Sequence, residues 1–210
     1  QGALDLRRFS VLVLDEFDRL LDMGFAPEIE RLVGGMSRRN QTVLFSATED
    51  KSQQRIIDGL VENPYVVKVR TGNISATNIE QEIVSVKDGE KKIEVLLEMM
   101  RDDSFEKVLV FVDTKRGVSR ICRDLRRGGI TADEIHGDKS QNYRVKALES
   151  FRNRKIKVLV ATDVAARGLD ISHVSHVINF QQPKDMESYI HRIGRTGRAG
   201  ASGRAITFVN

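Results

Sequence analysis

Short apolar runs recur along the chain. Each ends in polar residues, and most lead into a segment with helical periodicity. "VLVLD" (Val11 to Asp15) precedes "EFDRLLDMGF", and "TVLFSAT" (Thr42 to Thr48) precedes "KSQQRIIDGLVE". "KVLVFVD" (Lys107 to Asp113) precedes "RGVSRICRDLRR"; "KVLVATD" (Lys157 to Asp163), "HVINF" (His176 to Phe180) and "AITFV" (Ala205 to Val209) follow. Continuous apolar runs of this kind suit strands covered on both faces. Their alternation with helices predicts a parallel α/β sheet flanked by helices. In such sheets chemistry gathers at the carboxyl ends of the strands. Asp15, Glu16, Ser46, Thr48, Asp113, Thr162 and Asp163 are expected there.

The stretch "KVRTGNISATNIEQEIVSVKDGE", from Lys68 to Glu90, breaks the pattern with polar and turn residues and weak periodicity. It reads as a linker over 68–90. After it, residues 91–210 carry a full strand–helix series, expected to form a nearly complete domain. Before it, residues 1–67 hold two strong strand–helix units and one weak strand, "YVVKV", which is thin for a doubly wound domain. These residues are therefore expected to be the later part of another domain. "QGALDLRRF" carries no initiator Met, in keeping with a start inside that domain.

Composition narrows the classes further. With 40% hydrophobic residues, 30% charged residues and three prolines, the chain can build a core and excludes long disordered tracts. A net charge of +4 is a mild bias toward polyanions, weaker than a basic tail would give. A single cysteine, Cys122, excludes an intramolecular disulfide and agrees with a reducing compartment. It lies in a helical pattern and reads as a small buried hydrophobe. No apolar run approaches the ~20 residues of a membrane-spanning helix, and no signal peptide is visible. A monomer in the cytoplasm is the expectation.

Candidate chemistry begins with "YIHRIGRTGRAG", Tyr189 to Gly200. On a helix, Arg192, Arg195 and Arg198 would share an arc of about 120°. Such crowding needs an anion, and a phosphate chain suits the planar guanidinium. Yet the chain contains no Gly-Lys dipeptide and so no phosphate-cradling G-x-x-x-x-G-K-[ST] loop. "VLVLDEFD" delivers adjacent carboxylates: Asp15 can hold Mg²⁺ through water, and Glu16 can orient or deprotonate an attacking water. The plainer reading is an acidic helix start. "SAT" reads equally as a helix cap. "HGDKSQNYR" puts Gln141 and Arg144 at i, i+3 on a helix start, facing either a phosphate backbone or solvent. His136 alone reads as a structural histidine. "ATDVAARGLD" (Ala161 to Asp170) sets Arg167 among small residues that let a backbone approach.

Taken in order, "DEFD", "SAT", "HGDKSQNYR", "ATDVAARGLD" and "HRIGRTGR" resemble the DEAD-box family of RNA helicases, in superfamily 2, over nearly the whole chain. The resemblance implies two RecA-like, P-loop-NTPase-type domains, with ATP and Mg²⁺ in the cleft between them and RNA lying across both. It implies that Asp15 and Glu16 serve Mg²⁺ and the attacking water, with Asp18 closing the motif. Ser46 and Thr48 would couple that motif to the facing domain. Gln141, Arg144, Thr162, Arg167 and Gly168 would lie on or near the RNA backbone, and Asp170 and Gly168 on the nucleotide side. His191 would link to the acidic motif. Arg195 and Arg198 would reach the γ-phosphate, while Arg192 is a candidate for a structural role. The glutamine motif and the P-loop would lie upstream of Gln1, leaving this stretch inactive alone. The chain departs from the family pattern at Phe17 (often alanine), at Gln181 (often aspartate) and at Asn153-Arg154, where glycine is common and Asn153 is expected to take a left-handed turn. Two other readings stand beside this one: a non-catalytic RNA- or partner-binding RecA-like module, and a DNA-directed superfamily 2 translocase.

Overall fold

The computed structural model describes residues 4–46, 51–68, 78–87, 89–166, 171, 174–197 and 201–209. The chain divides into two compact units, Gln1–Val69 and Arg70–Asn210.

In the first unit, β1 (Val11–Leu14) pairs in parallel with β2 (Gln41–Leu44), Leu14 standing opposite Leu44. Helices α1 (Phe17–Asp22), α2 (Ala26–Gly35) and α3 (Lys51–Leu60) accompany them. Phe17 is wholly buried and, with Ile29 and Leu60, centres a small core that Leu14, Val33 and Leu44 complete. The position that departs from the family pattern is thus a core position, and the large ring fills it. Val11, Val13 and Phe45 stay exposed. "YVVKV", read as a weak strand, is corrected: residues 65–68 form no strand, and Tyr65, Val66 and Val67 are solvent-exposed without a pairing partner among the described residues.

The second unit is a six-stranded sheet in the order β3-β8-β7-β4-β6-β5, every neighbouring pair parallel. The strands are β3 (Ile79–Ser85), β4 (Val108–Phe111), β5 (Ala132–Ile135), β6 (Val158–Ala161), β7 (His176–Asn179) and β8 (Gly203–Val209). Residues 79–85, read as linker, are therefore a strand at one edge of the sheet. They escape a periodicity search because Glu80, Gln81 and Glu82 face water there. Strands β4, β6 and β7 are buried along their whole length; β4 and β6 are unbroken apolar runs, and β7 buries His176 and Asn179 beside its apolar pair.

Helices cover both faces. On one, α4 (Lys92–Met99) and α5 (Lys115–Arg127) contribute Leu96, Val118, Ile121, Cys122 and Leu125 to a core with Val110, Val160 and Ile206. On the other, α6 (Gln141–Arg152) and α7 (Asp163–Ala166) pack Ala147, Phe151 and Ala165 against Leu109, Phe111 and Leu159. Helix α8 (Met186–Ile193) completes the unit. After α6 the turn differs from expectation. Asn153 keeps φ at −83°, and Arg154 takes the left-handed conformation with φ +55°. Backbone N–H groups of Arg154 and Lys155 then close onto Phe151 and Ser150.

Register sets where chemistry can occur. Phe111 stands opposite both Ala161 and Asn179, and Ala161 opposite Ile135. The residues that follow (Asp113, Thr162, Asp163, Gln181 and His136) consequently leave the sheet along one edge. Chain order reverses beside β4, which makes this edge a topological switch point.

Candidate functional site

At the carboxyl edge of the second sheet lies a buried arginine. Arg192, on the last turn of α8, is 3% exposed. Its Nε and one terminal nitrogen hold Asp163 bidentately at 2.7 and 2.6 Å. The same nitrogen reaches Asp113 at 3.3 Å, and the other donates to Asn179 Oδ1 at 3.2 Å and to the Gln181 carbonyl at 3.1 Å. The guanidinium also lies over the Phe111 ring, 5.2 Å from its centroid. One side chain thus ties together the ends of β4, β6 and β7. Gln181 serves the same junction, its Oε1 accepting the Asp113 N–H at 3.1 Å.

The reading of Arg192 and Arg195 on one helical arc is therefore corrected, while Arg192 takes the structural role the resemblance left open to it. Helix α8 stops at Ile193 with Gly194 as its cap, and Arg192 points inward to carboxylates rather than to a phosphate. His191 and Arg195 line a shallow depression together with Arg192, Phe111, Asp163 and Ser188. The clamp on Arg192 fixes the segment that carries both. Just beyond, Thr196 donates to the Val174 carbonyl, and Gly197 has φ +65°. A Cβ at Gly203 would lie 2.6 Å from the Gly197 nitrogen, so glycine is needed where the two strands of chain meet.

Along the same edge, Ser140 caps α6 by accepting the Tyr143 N–H at 3.3 Å. This places Gln141 and Arg144 on its first turn. Arg144 donates to Gln141 Oε1 and to the Ala165 carbonyl, each at 3.2 Å. The Thr162 carbonyl in turn starts α7 by accepting N–H groups of Ala165 and Ala166. Gln141, Arg144 and Thr162 are thereby brought together at one rim. His136 is buried, its Nδ1 accepting the Asp138 N–H at 3.3 Å and its Nε2 3.1 Å from Ser119 Oγ. That is a structural role. Beneath it, burial pushes the Glu134 carboxyl up, but hydrogen bonds from Lys139 and Ser119 and the charges of Lys139 and His136 outweigh burial and hold it below the usual carboxylate range.

In the first unit, Asp15 and Glu16 are exposed at the carboxyl end of β1, and Asp15 Oδ1 accepts the Glu16 N–H at 2.9 Å. Glu16 adopts the left-handed conformation, φ +48° and ψ +47°, a conformation costing about 1–2 kcal/mol for a residue with a side chain. Asp18 is buried, and Ser46 is exposed just past β2. No group of three potential metal ligands gathers among the described residues. The carboxylate pair instead fits Mg²⁺ held through water, since that ion keeps several waters and takes one or two carboxylates besides phosphate oxygens. Thr48, Arg167, Gly168, Asp170 and Arg198 lie outside the described residues. Asp113, Asn179 and Asp163, which hold Arg192, were not singled out together from sequence.

Comparison with known proteins agrees with this architecture. Residues 91–200 match the family described as helicase conserved C-terminal domain, and residues 1–56 match the DEAD/DEAH box helicase family. The chain is 46% identical over 207 residues to the DEAD-box ATP-dependent RNA helicase CshA of Bacillus licheniformis, covering 99% of this chain and 42% of that protein. It is 43% identical over 210 residues to the ATP-dependent RNA helicase RhlB of Pseudomonas syringae, covering 99% of this chain and 53% of that protein. The chain thus spans about half the length of these curated relatives. Among solved structures, Saccharomyces cerevisiae Dbp5 bound to RNA and ADP BeF3 is similar with a TM-score of 0.82 at 33% identity, over 97% of this chain and 54% of that one. A DEAD box protein from Methanococcus jannaschii is similar with a TM-score of 0.59 at 37% identity, over 100% of this chain and 56% of that one. The parallel, helix-flanked sheet is accordingly of the RecA-like type, and the chain belongs to the DEAD-box helicase family.

Proposed function

We propose that this chain supplies the catalytic carboxylates, the arginine fingers and one RNA-binding face of an ATP-dependent RNA helicase. The observation that carries the reading is the Arg192 clamp: a buried guanidinium that joins three strand ends and so sets His191 and Arg195 at the switch point of a parallel sheet. A family whose relatives are named ATP-dependent RNA helicases supports it.

In this proposal ATP sits between the two RecA-like domains. Asp15 would hold Mg²⁺ through water, and the ion would supply positive charge to offset that of the phosphates. Glu16 orients the attacking water and takes its proton. Asp18, Ser46, Thr48 and His191 couple the carboxylates to the second domain. Arg195 and Arg198 stabilise charge that develops on the γ-phosphate, while Gly168 and Asp170 face the nucleotide. Gln141, Arg144, Thr162, Arg167 and Gly168 hold RNA by its backbone, which predicts little sequence preference. Closure around ATP and RNA bends one strand and disfavours the duplex. The chain has no G-x-x-x-x-G-K-[ST] loop, so by itself it hydrolyses no ATP. A monomer acting in the cytoplasm belongs to the same proposal.

The RNA arm is tested on the chain itself. Fluorescence anisotropy with single-stranded RNAs of unrelated sequence should give weak binding. Neutralising two to four phosphates gives a log–log salt slope of about −1.5 to −3. Arg144→Ala should weaken all sequences alike. A loss confined to one sequence would mean base readout and would refute the backbone-contact reading.

A further inference from the structure

Helix α5 buries Val118, Ile121, Cys122 and Leu125 on one side. Its opposite crest carries Arg116, Arg120, Arg123 and Arg127, all exposed. At the helical repeat their directions fall within an arc of about 60°, and the line they form is about 16 Å long with steps of ~4.5 to 6 Å. Arg127 lies 3.9 Å from Asp124. Arg116, Arg120 and Arg123 make no hydrogen bond or ion pair among the described residues.

The cations on the flank of the same helix behave differently. Lys115 pairs with Asp138 at 2.5 Å and Arg126 with Asp133 at 2.9 Å. The helix therefore compensates its flank and, apart from the long Arg127–Asp124 contact, leaves its crest without partners among the described residues. Like charges at i, i+4 destabilise a helix by about 0.2–0.5 kcal/mol per pair, and the crest contains two such pairs. Arginine rather than lysine at every crest position supplies planar groups that hold phosphate through two parallel hydrogen bonds.

Place matters as well. The Lys115–Asp138 pair ties the start of α5 to the loop that leads into Gln141 and Arg144. The arginine line thus begins beside the proposed RNA contacts and runs away from the carboxyl edge of the sheet. No aromatic residue interrupts it, so base stacking has no platform there. We propose that the crest of α5 tracks the phosphates of an RNA strand after it has passed Gln141 and Arg144. The surface rests on the RNA-binding reading above and extends it.

The test compares single-stranded RNAs of 6 and 20 nucleotides bound to the whole chain, as parent and as Arg120→Gln/Arg123→Gln. The expected result is an unchanged affinity for the 6-mer and an about tenfold loss for the 20-mer at 0.1 M salt. The 20-mer salt slope should become less negative by about 1.4, the share of two phosphates. A second variant, Arg116→Gln/Arg127→Gln, should lose to a similar degree, and thermal midpoints should not fall below the parent value, because all four side chains face solvent and the like-charge pairs are relieved. A parent-like 20-mer affinity in both variants, or an equal loss on both lengths, overturns the surface while leaving the RNA reading standing. Lost binding to phosphatidylserine vesicles with unchanged RNA affinity assigns the crest to membranes and overturns it too. Failure of the parent to bind either RNA overturns both readings.

Discussion

Replacing Arg192 with alanine strips five hydrogen bonds from one junction. Asp163 loses a bidentate partner at 2.6 and 2.7 Å, Asp113 loses one at 3.3 Å, and the Asn179 side chain and Gln181 carbonyl lose theirs. Breaking a buried ion pair from one side costs about 3–5 kcal/mol because the remaining charge stays uncompensated. Here the Asp163 and Asp113 side chains are 28% and 35% exposed, so water relieves part of the burden and the lower end, about 3 kcal/mol, applies. At about 3 °C per kcal/mol the second unit should melt about 10 °C lower. Arg192→Lys keeps the charge but meets one carboxylate at a time, and should recover only part of this. The assay is urea unfolding followed by circular dichroism, with hydrogen exchange read at Phe111, Ala161 and Asn179. Those amides should lose protection ahead of the rest of the sheet. A double-mutant cycle with Asp163→Asn should show a coupling of about 1–3 kcal/mol. If Arg192→Ala unfolds within about 0.5 kcal/mol of the parent, the arginine is not the tie between strands, and the placement of His191 and Arg195 needs another cause.

Three further outcomes follow from burial. Phe17→Ala restores the residue common in the family but empties a wholly buried site, and should destabilise the first unit by about 3–5 kcal/mol in a urea titration. His176 is stacked on Phe105 at 4.0 Å, and burial, reinforced by the charge of Arg204, pushes its pKa down to about 4. Its neutral form is therefore favoured by folding: stability is full above pH 6.5 and falls by about 3 kcal/mol as pH drops to 4, and His176→Gln should flatten that part of the profile relative to the parent. Burial also pushes the Cys122 thiol up to about 11, so an aromatic disulfide reagent at pH 8 should react only at the rate of unfolding.

The parts of the fold legible in the sequence are those whose physics is local. Strands β4 and β6 announce themselves because burial on both faces demands unbroken apolar runs, and β7 and β8 through their apolar centres. Strands β3 and β5 do not, because edge positions tolerate polar residues. Glu82 on β3 faces Arg204, and on β5 Asp133 is held by Arg126 and Tyr143 and Glu134 pairs with Lys139. Gln141 and Arg144 were readable from their spacing and a serine cap. The inward turn of Arg192 was not, since its carboxylate partners lie 29 and 79 residues away along the chain. The spacing in "HRIGRTGR" does not by itself distinguish the arginine that holds the sheet from the proposed fingers Arg195 and Arg198; the resemblance left Arg192 a candidate for a structural role, and tertiary pairing makes the difference. Arg154 taking the left-handed turn in place of Asn153 is a smaller case, decided by which N–H must reach Ser150 and Phe151.

The arginine-finger assignment is tested most directly by steady-state ATP turnover under saturating RNA, in a fusion of this chain behind a P-loop-bearing RecA-like half. Arg195→Ala should lower turnover on the order of 10³-fold while a fluorescent-nucleotide titration shows nearly unchanged ATP affinity, because a finger acts on charge that develops only in the transition state. Near-parental turnover, with RNA affinity alone reduced, would contradict the account and leave Arg195 as a residue of the RNA-facing rim.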